Sequence, residues 1–344
     1  MKKTKRKNIN FDHNAIEMPF KGVLKTIEKL YAQGYANPSS NYLDGRIASE
    51  MVENARIKVS EALGCDADEI FFTSGASESI AWVANNFKLS VDKRAHHSLL
   101  EAQQNQPIFK DQKMPIISFP LIVSETGENL RNYYNLNMNG VYYFVDITQA
   151  IGKTSIKLHT HPNIWFACAS GQKIGGISGC GILYIKKEIQ DKIKPLIYGT
   201  QELGLRGGTS NLPAIVAFGK AIEYITKNIN RNNYNNSKIL NIIINGLKKY
   251  KLNYQLHTNV INITFNKISA ATAVELFDKF GFNVSAGSAC NSGDEKPSLA
   301  YLESGYTEEE AMKTIRISIG RGNRLREAKK FVKILKKILD NYDK

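Results

Sequence analysis

Apolar residues recur along this chain with two different periods. Three- and four-residue spacing from Ser49 to Leu63, ended by Gly64, predicts an amphipathic helix. Short apolar runs between small or polar residues predict β-strands at 69–73, 116–123, 141–145, 164–168, 181–185, 260–265 and 314–319. A loop or helix follows each strand of the first part of the chain, so the pattern indicates an α/β region with a largely parallel sheet.

The second part of the chain has mainly helical spacing. Helices are predicted at 212–228, 239–250 and 271–280, and in a C-terminal segment with Ala328, Val332, Leu335 and Leu339 on one face. The Asn-rich stretch 228–236 interrupts the pattern. We therefore predict a large domain at 15–220 and a smaller α+β domain at 221–344, to which the N-terminal residues 1–14 also belong.

Composition places the chain among ordinary globular proteins. It has 344 residues, of which 42% are hydrophobic and 23% charged, and this length suggests about two domains. No apolar run approaches the roughly 20 residues that a membrane span needs. The basic start, Met1–Lys7, leads into no apolar signal core. We expect a cytoplasmic protein.

The charge and the cysteine content restrict which partners and metal ions we expect the protein to bind. A net charge of +14 fits either an acidic partner or a Lys-rich composition. The sequence has no RNA-binding signature and no Arg-rich arm, which argues against direct nucleic acid binding. Cys65, Cys168, Cys180 and Cys290 form no C-x-x-C pair, so we expect no metal site.

Lys173 is the first candidate for chemistry. The small-residue segment 169–176 carries it between two predicted strands. Such a turn can hold a lysine in a cleft, where desolvation lowers the pKa of the amine and frees it as a Schiff-base nucleophile. A surface lysine in a Gly-rich hairpin is the alternative.

Two further strand ends carry polar residues. Ser74, Gly75 and Ala76 follow a strand and open a helix that runs through Val83, an arrangement that can bind a phosphate group or form a plain N-cap. Asp146 ends another strand, with Gln149 three residues on. An acid there can pair with the ring nitrogen of pyridoxal 5′-phosphate (PLP), or cap the following turn.

Three more features of the sequence provide candidate functional residues. His96 and His97 could supply an imidazole to stack on a cofactor ring. Cys290 lies among small residues outside any apolar periodic run, which suits a nucleophile that moves to its substrate. Arg316 interrupts an apolar strand, so a substrate carboxylate, a protein acid or water must satisfy it.

Taken in order, these segments resemble the class V aminotransferase-type cysteine desulfurases of the long-loop group. The motifs are FTSGASES, VDITQ, SGQKIGG, LRGGTSNLP, GSACNS and RISIGR, and the resemblance runs from about Asp12 to the C-terminal helix. It implies the type I, aspartate-aminotransferase-like fold of PLP-dependent transferases. It also implies conversion of L-cysteine to L-alanine, a homodimer and a sulfur-acceptor protein, as in iron–sulfur cluster assembly.

The resemblance also implies a role for each matching residue. Lys173 would hold PLP and move protons, Cys290 would take the sulfur as a persulfide, and Arg316 would bind the cysteine carboxylate. His96 would stack on the ring, beside His97. The remaining cofactor ligands would be Ala76, Ser77, Asp146, Gln149, Ser170 and Gln172, with Thr209 reaching the phosphate from the other subunit.

Several positions depart from the family pattern. Gln172 stands where the family usually has His, Ser124 replaces an Asn, and Ile16 lies in what is usually a Thr-Thr turn. The segment 98–122 is also short. The alternatives are therefore another class V PLP enzyme (an aminotransferase, a selenocysteine lyase or a C–S lyase) and a degenerate member acting as a scaffold.

Overall fold

The computed structural model describes residues 8–109, 114–287 and 297–343. Contacts divide the chain into a larger unit, 16–122 with 130–229, and a smaller unit, 1–15 with 123–129 and 230–344. The division between the units falls inside one helix, Leu212–Tyr250. Because this helix runs through the Asn-rich stretch without a break, the predicted interruption there is wrong. Buried Ile225, Asn236 and Ile239 continue its packed face through that stretch, because packing outweighs the weak helix propensity of Asn.

The described elements alternate as the hydrophobic pattern predicts in the first part of the chain. The helices are α1 (Lys21–Gln33), α2 (Leu43–Leu63), α3 (Ala76–Ala84), α4 (His97–Gln104), α5 (Leu212–Tyr250), α6 (Ala270–Lys279), α7 (Leu299–Glu303), α8 (Glu308–Met312) and α9 (Leu325–Tyr342). The strands are β1 (Ile9–Asn10), β2 (Ile70–Thr73), β3 (Leu89–Val91), β4 (Ile116–Pro120), β5 (Tyr143–Asp146), β6 (Ile164–Ser170), β7 (Gly181–Ile185), β8 (Asn253–His257), β9 (Val260–Thr264), β10 (Phe282–Asn283) and β11 (Thr314–Ser318).

A six-stranded sheet of order β2-β7-β6-β5-β4-β3 forms the centre of the larger unit. Of its strands, β7 runs antiparallel to both neighbours, and the other five share one direction. Every residue of β2, β5 and β7 is buried, as expected for a sheet covered on both faces. The predicted α/β class with a mostly parallel sheet is confirmed.

Aromatic packing and side-chain amides stabilise this sheet. Trp82 is fully buried, its ring lies edge-on to Phe71 at 6.1 Å, and its indole N–H donates to the Lys194 carbonyl. At the sheet edge, Gln106 accepts from the backbone N–H of Leu89 (3.0 Å). This amide occupies a backbone group that an edge strand otherwise exposes.

The smaller unit has an antiparallel sheet of order β11-β9-β8 and a parallel pair, β1 with β10. Its core includes Phe277 stacked on Phe331, with ring centroids 4.8 Å apart. Helix α9 buries Ala328, Phe331, Leu335 and Ile338. The buried face is therefore turned from the predicted one, since Val332 and Leu339 are only partly buried. No helix in the described residues is long and apolar enough to cross a bilayer.

Candidate active site

Most of the sequence-predicted residues follow strand ends on one edge of the larger unit's sheet. Ser74 follows β2, Asp146 ends β5 and Ser170 ends β6, while His96 lies shortly after β3. These four strands run in the same direction, so their carboxyl ends share an edge. That is where open α/β sheets bind ligands.

Hydrogen bonds with the adjacent residues Thr73 and Glu78 stabilise the turn that joins β2 to α3. Glu78 accepts from the backbone N–H of Ser74 at 2.7 Å, and the Thr73 hydroxyl donates to the Gly75 carbonyl at 3.1 Å. Ala76 and Ser77 lie at the amino end of the nine-residue helix α3, where free N–H groups and the helix dipole favour an anion. Among the described residues, no atom lies within 4 Å of the point where a Cβ on Gly75 would stand.

The first residue of β7 sets how closely this turn packs. A Cβ on Gly181 would lie 2.5 Å from the Gly75 Cα and 2.8 Å from the Ala169 carbonyl oxygen. Only glycine allows this backbone approach. Gly181 therefore fixes the position of the predicted phosphate turn against β6 and β7.

Asp146 is a buried carboxylate at the end of β5 and accepts from the backbone N–H of Thr148 at 2.9 Å. Cys168 lies opposite it on β6. Burial and the Asp146 charge hold the pKa of the Cys168 thiol well above its ordinary value. The thiol stays protonated, so it adds no second negative charge beside the acid.

Gln149 is also buried, and its orientation follows from a neighbour. The Lys153 ammonium donates to Gln149 Oε1 at 2.8 Å. An ammonium group only donates hydrogen bonds, so the oxygen of the amide must face Lys153. The NH₂ end of the Gln149 amide is therefore its donor end, and its predicted contact with a cofactor stays a prediction.

Lys173 ends the 3₁₀ turn Gly171–Lys173 directly after β6 and is half-buried. A Cβ on Gly171 would lie 2.7 Å from the Phe218 ring, so this turn needs glycine to pack against α5. The side chain of Gln172 accepts from the Ser178 hydroxyl at 2.8 Å, and its carbonyl accepts from the Glu17 N–H. The predicted contact of Gln172 with a cofactor stays a prediction.

Both histidines at the start of α4 are exposed. His96 is the N-cap residue of this helix, and its Nδ1 accepts from the Ser98 N–H at 3.2 Å. An accepting Nδ1 leaves the proton of the neutral ring on Nε2. His96 and His97 have ring centroids 6.3 Å apart, and stacking of His96 on a cofactor stays a prediction.

Thr209 lines a cavity of about 160 Å³ together with Thr73, Ser74 and Arg206 of the same chain. The phosphate turn and the segment that carries Thr209 are therefore neighbours within one protomer. The sequence placed Thr209 at the phosphate of the other subunit, which stays a prediction.

In the smaller unit, Arg316 of β11 is buried and paired. Its guanidinium donates to Asp12 at 2.6 Å and to the Ser124 carbonyl at 3.0 Å. Its Nε–H has no partner among the described residues. The structure thus supplies the protein acid named as one alternative, and leaves a buried N–H donor that a substrate carboxylate could also use.

Cys290 lies outside the described residues. The other three cysteines are free thiols with raised pKa values. Burial dominates in each, with added repulsion from Glu69 for Cys65 and from Glu202 for Cys180. Because the thiolate is the nucleophile, none of these three is suited to attack a substrate.

Sequence reasoning did not find Asp12 or Lys153. It also did not find the ion pairs Arg56–Glu202 and Arg206–Glu78. Asp12 is 304 positions from Arg316, and no local pattern links them. A signal for Lys153 exists in its position four residues after Gln149, although that segment is a turn.

Comparison with known proteins shows the family of this chain and proteins similar to it. The family model for class V aminotransferases matches residues 9–106 and 111–331. A cysteine desulfurase IscS of Methanosarcina thermophila is 27% identical over 98% of this chain and 93% of its own, and one of Rickettsia felis is 30% identical over 87% and 83%. A solved NifS-like protein from Rickettsia africae superposes with a TM-score of 0.84 at 26% identity, covering 97% of this chain and 99% of its own.

The fold and the edge of strand ends thus define an α/β enzyme of the PLP-dependent type. The chain belongs to the class V aminotransferase family. Its residues fit the PLP cofactor of that family: a lysine after β6, a buried carboxylate at the end of β5, a buried amide whose oxygen accepts from Lys153 and a helix amino end beside open space.

Proposed function

We propose that this protein is a PLP-dependent cysteine desulfurase, which converts L-cysteine to L-alanine and passes the sulfur to an acceptor. The observation that carries the proposal is that Lys173, Asp146 and Gln149 lie at or within three residues of the carboxyl ends of the neighbouring strands β5 and β6. The matching relatives are named cysteine desulfurases.

The larger unit supplies the cofactor site in this proposal. Lys173 would hold PLP through its amine, and Asp146 would keep the ring nitrogen protonated. Gln149 would donate to the phenolic oxygen through its NH₂ group, since Lys153 donates to the oxygen of the same amide. Ala76, Ser77 and Ser170 would bind the phosphate, and His96 would lie against the ring. When bound, PLP withdraws electrons from the Cα of the amino acid and so makes the bonds to that carbon easier to break.

Arg316 would bind the substrate carboxylate in the smaller unit. Two of its donors are already held by Asp12 and Ser124, which fixes the plane of the guanidinium. The buried Nε–H is a further donor. A carboxylate that accepts from it would satisfy a polar group that is costly to leave buried without a partner.

Cys290 would carry the sulfur. Its thiolate attacks the sulfur of the bound cysteine, the bond between that sulfur and Cβ breaks, and a proton replaces the sulfur on carbon. The products are alanine and a persulfide on Cys290, so atoms and electrons balance without an external oxidant. The raised pKa values of Cys65, Cys168 and Cys180 support this assignment.

We further propose a cytoplasmic homodimer in which Thr209 completes the partner's phosphate site. An acceptor protein, first of all one in iron–sulfur cluster assembly, would take the persulfide sulfur. The free thiols Cys65, Cys168 and Cys180 support a reducing compartment.

The test is the release of alanine and sulfide from L-cysteine by the purified protein, with PLP and a thiol reductant. We expect equal amounts of both, loss of turnover in Cys290→Ala, and normal turnover in the control Cys65→Ala. A Cys290→Ala variant that still transaminates an amino acid would instead identify an aminotransferase. A protein that gains no visible absorption with PLP would be a scaffold.

A further inference from the structure

Residues 197–211, here called the Thr209 loop, are held to the larger unit by a buried ion pair. Glu202 accepts from two nitrogens of Arg56 in α2, at 2.8 and 3.0 Å. The same carboxylate accepts from the backbone N–H of Phe72 in β2 at 2.9 Å. The two side chains are only 5% and 11% exposed, so the pair is largely removed from water.

The backbone of the Thr209 loop is strained at this point. Glu202 and Leu203 both have positive φ, +48° and +57°, although neither is glycine. Such a conformation is costly for residues with a Cβ and persists only where other contacts hold it. The hydrogen bonds of the Glu202 carboxylate to α2 and β2 provide those contacts.

A second ion pair joins the same loop to the predicted phosphate turn. Arg206 donates to both oxygens of Glu78, at 2.8 and 3.1 Å, and these side chains are 18% and 10% exposed. Glu78 also accepts from the N–H of Ser74. One carboxylate therefore connects the first residue of the turn with the loop that carries Thr209.

We infer that Glu78 and Arg206 are positioning residues for the cofactor phosphate, which keep the phosphate turn and the Thr209 loop in register with each other. Neither residue needs to touch the phosphate itself. Glu78 fixes the Ser74 end of the turn, and Arg206 fixes the loop three residues before Thr209. The inference rests on the proposed phosphate site.

Comparing two ligands distinguishes a positioning role of this ion pair from a merely structural role. Pyridoxal has the same ring and aldehyde as PLP but no phosphate group. A pair that positions phosphate ligands affects PLP and leaves pyridoxal unchanged, whereas a pair that only supports the fold affects both.

The experiment measures dissociation constants of PLP and pyridoxal for the cofactor-free protein from visible absorption, and the thermal unfolding of the same samples. The variants are Glu78→Gln, Arg206→Met and the conservative Arg206→Lys. The control is Glu309→Gln, which breaks an exposed ion pair with Lys313. We expect PLP affinity to fall about tenfold in Glu78→Gln and Arg206→Met, as loss of a charged hydrogen bond predicts. Arg206→Lys should fall between these and wild type.

Pyridoxal affinity should stay near wild type even where breaking the ion pair lowers the unfolding temperature of the cofactor-free protein. Equal loss of PLP and pyridoxal affinity, or no loss of either, overturns the inference. A wild-type protein that does not prefer PLP over pyridoxal would instead refute the proposed phosphate site. If Arg206→Met does not fold, Arg206→Lys decides.

Discussion

Gly181→Ala tests whether backbone packing sets the position of the phosphate turn. The added methyl group would lie 2.5 Å from the Gly75 Cα and 2.6 Å from its carbonyl carbon. Carbon atoms pack at about 3.5–4.0 Å, so the turn or β7 must move by about 1 Å. Both contacts are with backbone atoms, so rotation of a side chain cannot relieve them.

We expect Gly181→Ala to lower both the stability of the protein and its affinity for PLP. Overpacking of this kind destabilises a protein by about 1–3 kcal/mol, which urea unfolding of the cofactor-free protein measures. A displacement of about 1 Å in the turn should also weaken PLP binding by about 10- to 100-fold, since ligand contacts depend on such distances. Absorption titration with PLP measures this loss of affinity.

Gly22→Ala is the matched control. Gly22 lies in α1, and a Cβ there would meet no described atom within 4 Å. Alanine in a helix should leave stability unchanged or raise it by up to about 1 kcal/mol. If Gly181→Ala unfolds at the same urea concentration as wild type and binds PLP equally well, the close approach of β7 does not set the turn.

Three further changes have defined outcomes. Lys153→Met removes the cation beside the Gln149 amide, so protonation of the bound cofactor becomes easier and its pKa should rise. The pH dependence of the visible absorption measures this pKa, and the control Lys153→Arg, which keeps the cation, should leave it unchanged. Asp12→Asn leaves the buried Arg316 guanidinium without its carboxylate and should cost about 3 kcal/mol in urea unfolding; an unchanged midpoint would contradict this. Burial raises the pKa of Glu78, but hydrogen bonds from its arginine partner and the turn outweigh burial and lower it. Its contribution is therefore present above about pH 4.3 and lost as pH falls further, so Glu78→Gln should lose less stability in acid than wild type.

Most strands could be located because local sequence determines them, although β4 ends at Pro120 and β6 at Ser170, not at 123 and 168 as predicted. A buried strand must be apolar, so the first polar residue after it marks its end. Asp146 and Ser74 were found in this way, and Lys173 was found by its place in the small-residue turn after β6. Parallel pairing places such strand ends on one edge. The continuity of α5 could not be predicted, because packing of Ile225 and Ile239 stabilises an Asn-rich stretch with weak propensity.

The partners of these residues were harder to predict. The sequence predicted that Arg316 needs a partner, but the choice of Asp12 depends on the N-terminal segment lying beside β11, where Asp12 bridges to Ser318. Glu202 reads as a surface acid in a loop, and its burial follows only from contact with Arg56 in α2. Such pairings depend on tertiary structure and leave no period in the sequence.

The raised pKa values of the thiols have a consequence for the fate of sulfur inside the protein. Exchange between sulfur atoms requires a thiolate, and at neutral pH Cys65, Cys168 and Cys180 remain almost entirely protonated. A persulfide formed elsewhere on the chain would therefore find no competing acceptor among these three residues. The same protonation slows the oxidation of these three thiols by peroxide, to sulfenic acid or to mispaired disulfides.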